Sequence, residues 1–373
     1  MPTFYEFFAG GGMVRAGLGP GWDCLFANDF DPKKAVSYTR NWGDAEMRVA
    51  DIHDLTADDL PGRADLMWGS FPCQDLSLAG AGKGLEGARS GAFYAFWRLI
   101  AGLRPRSPKI VAVENVVGAL TSNGGADFRA MIESFVAHGY RPGALVINAD
   151  RFVPQSRPRL FIIGARDDAA LPAGRPEATF HPPALERATR ALPAELQNKL
   201  IWWRLPPPLR RNAAFADLIE DDPEGQDWHS EAQTRRLLSL MTPLHRAKVE
   251  AAQNSGRRMV GGLYRRTRRD AAGRRAQRAE VRFDDVAGCL RTPSGGSSRQ
   301  TLLIVDGDSI RSRLISARET ARLMGLDDSY ILPERYNDAY HLTGDGVVAP
   351  VIRHLAAHLF EPLLGGAAAS DAA

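Results

Sequence analysis

The sequence contains few cysteines and no long apolar run. Three cysteines, Cys24, Cys73 and Cys289, occur among 373 residues, far apart and without the spacing of metal ligands, which argues against a disulfide framework or a zinc site. No signal segment opens the chain and no apolar stretch has bilayer length, so we expect a cytoplasmic protein that uses neither membrane nor metal. The length predicts two domains, or three, at roughly 150 residues per domain.

The formal net charge is only +3, but positive charge is concentrated in one segment. Between Arg257 and Arg282, ten arginines stand against two carboxylates, Asp270 and Glu280, and lysine is absent. Arginine can bind phosphate and guanine edges through two hydrogen bonds, whereas lysine acts as a point charge. The alternative is an exposed loop that binds nothing. We favour a nucleic-acid-binding surface.

Strand-like and helix-like segments alternate over the first 165 residues. The pattern predicts strands at 4–9, 23–28, 64–70, 110–114 and 159–165, and helices at 13–18, 32–42, 91–103 and 128–138. Such alternation predicts a doubly wound α/β sheet. From Leu171 to about Asp308 the periodicity is weak and Pro, Arg and Gly are frequent, which predicts a separate, loop-rich domain. Helices are expected again at 316–324 and 347–363.

A glycine-rich turn follows the first predicted strand. The residues Phe8-Ala9-Gly10-Gly11-Gly12 stand where glycines allow a sharp turn and the close approach of a ligand. Asp29 ends the second strand, a position from which a carboxylate can bind ribose hydroxyls, and Asp51 follows the third. The pattern indicates an adenosine-containing cofactor and leaves NAD, FAD and S-adenosylmethionine open. The alternative is a plain tight turn.

A cysteine follows a later strand of the predicted sheet. Cys73 comes directly after that strand and Pro72, at the edge where such sheets bind ligands. The next residues are rich in glycine and include Lys83 and Arg89. This arrangement predicts a mobile basic loop beside a nucleophile. The alternative for any single cysteine is a small buried apolar residue.

Charged residues mark two more strands. Glu114 ends an apolar strand, where burying a carboxylate is costly unless it is used or paired. Arg157 and Arg159 open the last strand, on one face of an extended segment, and could position a carboxylate or read a base edge. The alternatives are a structural hydrogen bond for the carboxylate and a surface pair for the arginines.

Together these segments resemble the ordered motifs of the DNA cytosine-5 methyltransferase family. The match runs from about residue 3 to residue 363 and is broken by a variable region. In chain order, the residues that carry it are Phe8-Ala9-Gly10-x-Gly12, Phe71-Pro72-Cys73-Gln74, Glu114-Asn115-Val116, Gln155-x-Arg157-x-Arg159, Arg318-Glu319-x-Ala321-Arg322-Leu323-Met324-Gly325 and Gly344-Asp345-Gly346-Val347-Val348. Two positions depart from the family pattern: Glu6 stands where Asp is frequent, and Asp345-Gly346 where Asn followed by Ser or Ala is usual.

The resemblance implies an enzyme that transfers a methyl group from S-adenosylmethionine to carbon 5 of cytosine, in a specific double-stranded DNA sequence, and releases S-adenosylhomocysteine. Cys73 would add to carbon 6 of the flipped-out base. Glu114 would donate a proton or hydrogen bond to ring nitrogen 3. Arg159 would contact the base or its phosphate, and Arg157 would orient Glu114 and Cys73.

The resemblance also implies where the cofactor and DNA bind. The expected cofactor residues are Phe8, Ala9, Gly10, Gly12, Asp29, Phe30, Asp51, Ile52, Pro72, Asp345, Gly346 and Val347. The expected DNA contacts, together with the Arg-rich segment and the loop 294–300, are Gln74, Ser77, Lys83, Arg89, Arg265, Arg266, Arg268, Ser297 and Arg299. We expect a monomer whose partner is double-stranded DNA, and a cognate restriction endonuclease is a further candidate partner.

The resemblance further implies how the chain is divided. A Rossmann-like, cofactor-binding catalytic domain would occupy residues 1–170, and a smaller, loop-rich target-recognition domain residues 171–336. Residues 337–364 would form a C-terminal helix that returns to the catalytic domain, followed by a disordered tail, 365–373.

Three other interpretations account for parts of the same pattern. A tRNA cytosine-5 methyltransferase would use the same scaffold, but the long Arg-rich insert favours duplex DNA. An NAD-dependent oxidoreductase would leave Cys73, Glu114 and Arg159 unexplained. A catalytically silent DNA-binding relative would not need every catalytic motif residue, and all are present.

Overall fold

The computed structural model describes residues 1–71, 91–166, 174–211, 213–269, 273–291 and 298–365. The chain folds as two compact units. The first consists of Met1–Asn148, Pro158–Pro208 and the residues from Ala349 on; the second consists of Ala149–Arg157 and Leu209–Val348. The first unit therefore extends to Pro208, beyond the predicted domain boundary at residue 170, and the short segment Ala149–Arg157 belongs to the second unit.

The described part of the first unit is built on a seven-stranded sheet. Its strands are β1 (Thr3–Phe7), β2 (Asp23–Asp29), β3 (Met47–Val49), β4 (Leu66–Gly69), β5 (Ile110–Val116), β6 (Tyr140–Asn148) and β7 (Pro158–Arg166). Strands β1 to β5 are parallel, and β7 runs antiparallel between β5 and β6. The strand order reverses between β1 and β4, the point where open α/β sheets bind ligands at the carboxyl ends of their strands. Across the sheet the strand order is β3-β2-β1-β4-β5-β7-β6.

Local sequence signals explain the helices that pack on this sheet. The Asp31 carboxylate caps a helix by accepting a hydrogen bond from the Lys33 backbone N–H at 2.9 Å, and Pro32 occupies the first turn. Apolar side chains of the third and fourth helices cover the buried strand β5. The helices are α1 (Met13–Leu18), α2 (Pro32–Trp42), α3 (Gly91–Gly102), α4 (Ala126–Ala137), α5 (Pro183–Arg190) and α6 (Ala194–Gln197). The predicted doubly wound α/β fold is confirmed.

A smaller antiparallel sheet forms the centre of the second unit. Its order is β11-β10-β8-β9, with β8 (Met259–Arg269), β9 (Arg275–Arg282), β10 (Thr301–Asp306) and β11 (Ser309–Leu314). Apolar side chains from two helices, α7 (Glu231–Ser239) and α8 (Pro243–Gln253), pack on this sheet. Two more helices follow, α9 (Ala317–Leu323) and α10 (Tyr336–Asp345). The unit is more regular than the weak periodicity predicted.

The C-terminal residues return to the first unit. There α11 (Ala349–Leu355) leads through a π-helical turn, Ala356–Phe360, into α12 (Glu361–Leu363). Gly17 of α1 lies so close to Ile352 that a Cβ atom at position 17 would collide with that side chain. The helix predicted at 347–363 begins at Ala349, two residues later than expected.

A buried ion pair stabilises the second unit. Arg313 of β11 and Glu319 of α9 both have fully buried side chains, and two Arg313 nitrogens donate to the two Glu319 carboxylate oxygens at 2.6 and 2.8 Å. Backbone N–H groups of Glu220 and Ser316 donate to the same oxygens at 2.9 and 2.7 Å. Glu319 thus receives four hydrogen bonds, and removal of either partner would leave an uncompensated buried charge.

We expect Glu319→Ala to destabilise the second unit by about 3–5 kcal/mol, because Arg313 would keep its charge in a dry site. Hydrogen exchange of β10 and β11 in the full chain measures the loss. Arg258→Ala is the matched control, since Arg258 pairs with Asp221 at the surface of the same unit, where the two side chains are 35% and 88% exposed, and such pairs contribute about 0–1 kcal/mol. Equal losses in the two variants would contradict the assigned role of the buried pair.

Candidate functional site

The loop after β1 adopts a backbone that favours glycine. Gly10 and Gly12 have positive φ angles of 56° and 76°, and Phe8 shares this left-handed conformation at 58°. A Cβ atom at Gly12 would collide with the Trp42 indole, whose Nε1 donates to the Gly11 carbonyl at 3.0 Å. At Gly10 a Cβ atom would meet nothing within 4 Å. The loop therefore leaves open space over Gly10.

Asp29 at the end of β2 holds this loop in place. Its carboxylate accepts hydrogen bonds from the backbone N–H groups of Gly10 at 2.8 Å and Asp31 at 2.9 Å. The side chain is buried, and burial raises the pKa of Asp29 above its ordinary value. The next residue, Phe30, is 66% exposed. Asp29 keeps acceptor capacity for hydroxyl groups, the Phe30 ring is exposed, and the loop leaves space over Gly10. These three features fit a nucleoside with a bulky substituent.

Glu6 lies beneath the loop and was not among the predicted site residues. One carboxylate oxygen accepts from the Val14 N–H at 3.3 Å, and the other is buried without a hydrogen-bond partner among the described residues. Burial raises the pKa of Glu6 to about 8. The sequence signal was a carboxylate in the middle of an apolar strand, which is costly without a purpose.

The remaining predicted cofactor residues of the described chain are divided between the two units. Asp51 is exposed, and its carboxylate accepts from the His53 N–H at 2.9 Å, which lowers the pKa of Asp51. Its neighbour Ile52 is buried in the core. Asp345, Gly346 and Val347 belong to the second unit. Their predicted cofactor contacts stay predictions.

The segment that leads into the predicted nucleophile begins beside the loop. The Phe71 ring is buried and lies edge-on to the rings of Phe8, at 6.4 Å, and Phe93, at 5.1 Å. The end of β4 therefore meets the end of β1. The predicted residues Pro72, Cys73, Gln74, Ser77, Lys83, Arg89 and Ser297 lie outside the described residues.

Glu114 and Arg159 form an ion pair at the same edge of the sheet. Arg159 Nε lies 3.0 Å from Glu114 Oε1, and the two side chains are 18% and 9% exposed. In the antiparallel register of β5 and β7, Arg159 faces Val116, two residues from Glu114, so both side chains share one face. No described residue hydrogen-bonds Glu114 Oε2. The pair thus holds a carboxylate with one oxygen available to a ligand.

Arg157 and its neighbour Gln155 hold the second unit together. Arg157 is buried and donates to the carbonyl oxygens of Gly344 at 2.9 Å, Gly346 at 2.7 Å and Leu290 at 3.1 Å. Gln155 donates to the Leu323 carbonyl at 2.8 Å and accepts from the Leu290 N–H at 3.2 Å. Arg157 and Arg159 thus belong to different units. The orientation of Glu114 and Cys73 by Arg157 stays a prediction.

The predicted DNA-binding arginines fall into three environments. Arg265 is exposed. Arg266 and Arg268 pair with the Glu280 carboxylate at 3.4 and 2.6 Å. Arg299 donates to the Asn337 side-chain oxygen and lies 5.8 Å from the centre of the Tyr336 ring. Among the described candidates, therefore, Arg265 has the most accessible guanidinium without an ion-pair partner.

The described residues contain no helix of the length and apolarity that a bilayer crossing needs. In the same part of the chain, no three His, Cys, Asp or Glu side chains cluster as metal ligands could. Cys24 and Cys289 form no disulfide bond with a described residue.

The fold resembles solved methyltransferase structures. The S. pombe Dnmt2 methyltransferase superimposes with a TM-score of 0.60 at 18% identity, and the match covers 97% of this chain and 99% of that chain. At this identity the likeness concerns the fold alone. It agrees with the large parallel-dominated sheet and the second, smaller sheet.

Sequence relatives carry the likeness further. The Type II methyltransferase M.HhaI of Haemophilus parahaemolyticus is 26% identical over 360 residues, which cover 95% of this chain and 92% of that protein. The Type II methyltransferase M.BsuFI of Bacillus subtilis is 31% identical over 182 residues, and there the chain spans only 43% of its relative. The family model described as C-5 cytosine-specific DNA methylase matches residues 2–361. Because that match covers nearly the whole sequence, the chain belongs to the C-5 cytosine-specific DNA methylase family.

Proposed function

We propose that the protein transfers a methyl group from S-adenosylmethionine to carbon 5 of a cytosine within a specific double-stranded DNA sequence, through a covalent bond to Cys73. Membership of the cytosine methylase family supports the cofactor and the target base. The relatives named Type II methyltransferases support a DNA substrate, and so does the Arg-rich segment of the second unit.

One observation carries the proposal: groups of complementary chemistry meet at one edge of the first unit's sheet. The loop after β1 provides open space over Gly10, and Asp29 lies at its base. The loop touches Phe71, two residues before Cys73. Glu114 and Arg159 extend from the adjacent strands β5 and β7. This edge can hold a nucleoside cofactor, a nucleophile and an acid together.

The cofactor residues have distinct tasks. Bound S-adenosylmethionine supplies an electrophilic methyl group on its sulfonium sulfur. Asp29 would accept hydrogen bonds from the ribose hydroxyls, since each carboxylate oxygen retains acceptor capacity. Phe30 would stack on the adenine through its exposed ring. Gly10 would allow the methionine part to approach the backbone, because no side chain fills that space.

The protein's own groups would activate the base. Carbon 5 of cytosine is a poor nucleophile. The Cys73 thiolate adds to carbon 6, and the electron pair of the 5,6 double bond moves to carbon 5, while Glu114 in its acid form donates a hydrogen bond or its proton to ring nitrogen 3. Carbon 5 would then accept the methyl group as the bond between that group and the sulfonium sulfur breaks, with S-adenosylhomocysteine as the leaving group. Loss of the carbon 5 proton to water re-forms the double bond and expels the Cys73 thiolate.

The target cytosine must leave the stack to reach these groups, because carbon 6 is inaccessible within a duplex. Flipping costs a few kcal/mol. Contacts from the residues after Cys73 to phosphate would offset part of that cost, with Ser77 and Arg89 as the candidates. Arg159 would hold the base or its phosphate, since its pairing with Glu114 places a cation beside the available carboxylate oxygen.

Methyl transfer to purified substrates tests the proposal. The purified chain is incubated with S-adenosylmethionine and either plasmid DNA or purified tRNA, and modified cytosines are located by bisulfite sequencing. We expect 5-methylcytosine in the plasmid at one short sequence, and in genomic DNA of expressing cells at the same sequence. Methylation of tRNA alone would mean that the substrate is RNA and not DNA. Absence of methylation on both substrates would overturn it.

A further inference from the structure

The hairpin formed by β8 and β9 has two chemically different faces beyond the core. Directly opposed residues of antiparallel strands lie on the same face. The open face, as we call it, consists of Arg265, Thr267, Arg269, Arg275 and Gln277, in which Thr267 opposes Gln277 and Arg269 opposes Arg275. The carboxylate face consists of Arg266, Arg268, Arg278 and Glu280.

Glu280 pairs with two arginines of the carboxylate face. Arg268 donates two hydrogen bonds to its carboxylate at 2.6 and 2.9 Å, and Arg266 Nε lies 3.4 Å away. The hydrogen bond from Arg268 lowers the pKa of Glu280. The Arg266 guanidinium also lies 5.7 Å from the centre of the Tyr264 ring. These two guanidinium groups are thus occupied by the protein.

No ion pair joins the three arginines of the open face to another described residue, and Arg269 donates one hydrogen bond to the Gly273 carbonyl at 3.1 Å. Arg265, Arg269 and Arg275 are all exposed. The same face continues into the core through Leu263, Ala279 and Val281, so the hairpin is anchored at its base. Within the described part of the chain, the open face therefore carries three positive charges that no carboxylate pairs with, on two paired strands.

Ser298 fixes the backbone at Arg265. Its Oγ accepts a hydrogen bond from the Arg265 N–H and donates one to the Arg265 carbonyl, both at 3.0 Å. Strand β10 pairs with β8 only as far as Leu263, so Ser298 satisfies the strand edge just beyond that pairing. This preorganises the position from which the Arg265 side chain leaves the strand.

A flat polar ribbon with cations at its ends suits the major groove of duplex DNA. That groove is about 12 Å wide and admits a two-stranded β-ribbon. Glutamine can form two hydrogen bonds with the N6 and N7 atoms of adenine, and threonine can contact the methyl group of thymine. Arginines on either side of such a pair are placed for phosphates.

We propose that the open face enters the major groove of the recognised sequence, where Gln277 reads an A·T base pair while Arg265, Arg269 and Arg275 bind phosphates. This inference rests on the proposed action on duplex DNA. It assigns sequence reading to the Thr267–Gln277 pair, and it assigns to Glu280 the role of withholding Arg266 and Arg268 from the DNA.

Two variants separate the two kinds of contact. Arg265→Ala should weaken binding to every duplex and reduce the slope of log affinity against log salt by about 0.9, the contribution of one phosphate contact. Gln277→Ala should leave that slope unchanged but relax the choice of base at one A·T position by about 5- to 150-fold, the discrimination of one bidentate contact. Affinity is measured on a labelled duplex carrying the methylated sequence, and base choice by bisulfite sequencing of plasmid DNA.

Two further variants complete the test. Arg235→Ala removes one exposed arginine from α7 of the same unit and should keep the wild-type slope. Glu280→Gln releases Arg266 and Arg268 and should raise affinity for unrelated duplexes; no change would contradict the assigned role of Glu280. The open face does not read DNA if two results are found together: Arg265→Ala and Arg235→Ala have the same slope of log affinity against log salt, and Gln277→Ala keeps the wild-type choice of base. A wild-type protein that methylates no DNA would instead defeat the proposed function itself.

Discussion

Replacing Cys73 with serine is expected to abolish methyl transfer to cytosine and to leave binding of S-adenosylmethionine intact. The reaction needs an anionic nucleophile that adds to carbon 6 and later leaves. A thiol near its ordinary pKa is partly ionised at neutral pH, whereas an alcohol is not. Serine is nearly isosteric with cysteine, so the substitution changes the chemistry of the side chain more than its volume. Titration calorimetry measures cofactor binding, and transfer of labelled methyl groups to DNA measures activity.

A mechanism-based substrate provides a second readout for Cys73. DNA with 5-fluorocytosine at the target position should trap the enzyme covalently, because fluorine cannot leave as the carbon 5 proton does. The wild-type protein should form a cofactor-dependent adduct that survives denaturing electrophoresis. The Cys73→Ser protein should form none. Wild-type protein without an adduct, or a serine variant with near wild-type turnover, would show that covalent catalysis at carbon 6 is wrong.

The other two cysteines are the internal control. Cys24 is buried with Sγ 3.5 Å from the Tyr38 hydroxyl, and burial raises the pKa of Cys24 to about 12. This thiol is un-ionised at neutral pH. Cys289 donates to the Leu290 carbonyl and accepts from Arg157, which a serine hydroxyl can also do. Cys24→Ser and Cys289→Ser should therefore retain activity.

The elements with local signals could be predicted from the sequence. Helix α2 has the predicted bounds because Asp31, Pro32 and Gly43 set both of its ends within the segment itself. Strand β6 was not predicted, since Pro142 and Gly143 usually exclude a strand. It is tolerated here because β6 is the last strand of the sheet, where a missing N–H donor costs little.

Long-range pairing could not be predicted. The hydrogen-bond partners of Arg157 lie at Leu290, Gly344 and Gly346, more than 130 residues away, and nothing near Arg157 specifies them. Strands β8 and β9 were not predicted because each combines a buried half with an arginine-rich exposed half. Such a strand shows no continuous alternation. By contrast, Glu114 was conspicuous because a carboxylate inside an apolar run demands a partner.

Glu114, which pairs with Arg159, is the second position at which we expect a substitution to change activity strongly. Glu114→Gln keeps the volume and the hydrogen-bonding capacity of the side chain but removes its acid, so it should lower kcat by about 10²- to 10⁴-fold. Cofactor affinity should not change, because Asp29 and the loop after β1 are untouched. Single-turnover methylation of plasmid DNA measures the chemical step, and calorimetry measures cofactor binding.

Arg159→Leu tests whether the two residues act as a pair. If Arg159 holds the carboxylate in position, the double variant should lose little more activity than the more damaged single variant, because residues that act as a unit are non-additive. Glu133→Gln and Arg129→Leu form the matched control, an exposed ion pair of 2.7 Å on α4 of the same unit, and should leave kcat unchanged. If the Glu114 and Arg159 effects are small and simply additive, the ion pair between β5 and β7 serves the fold alone, and the acid that protects ring nitrogen 3 must come from another residue.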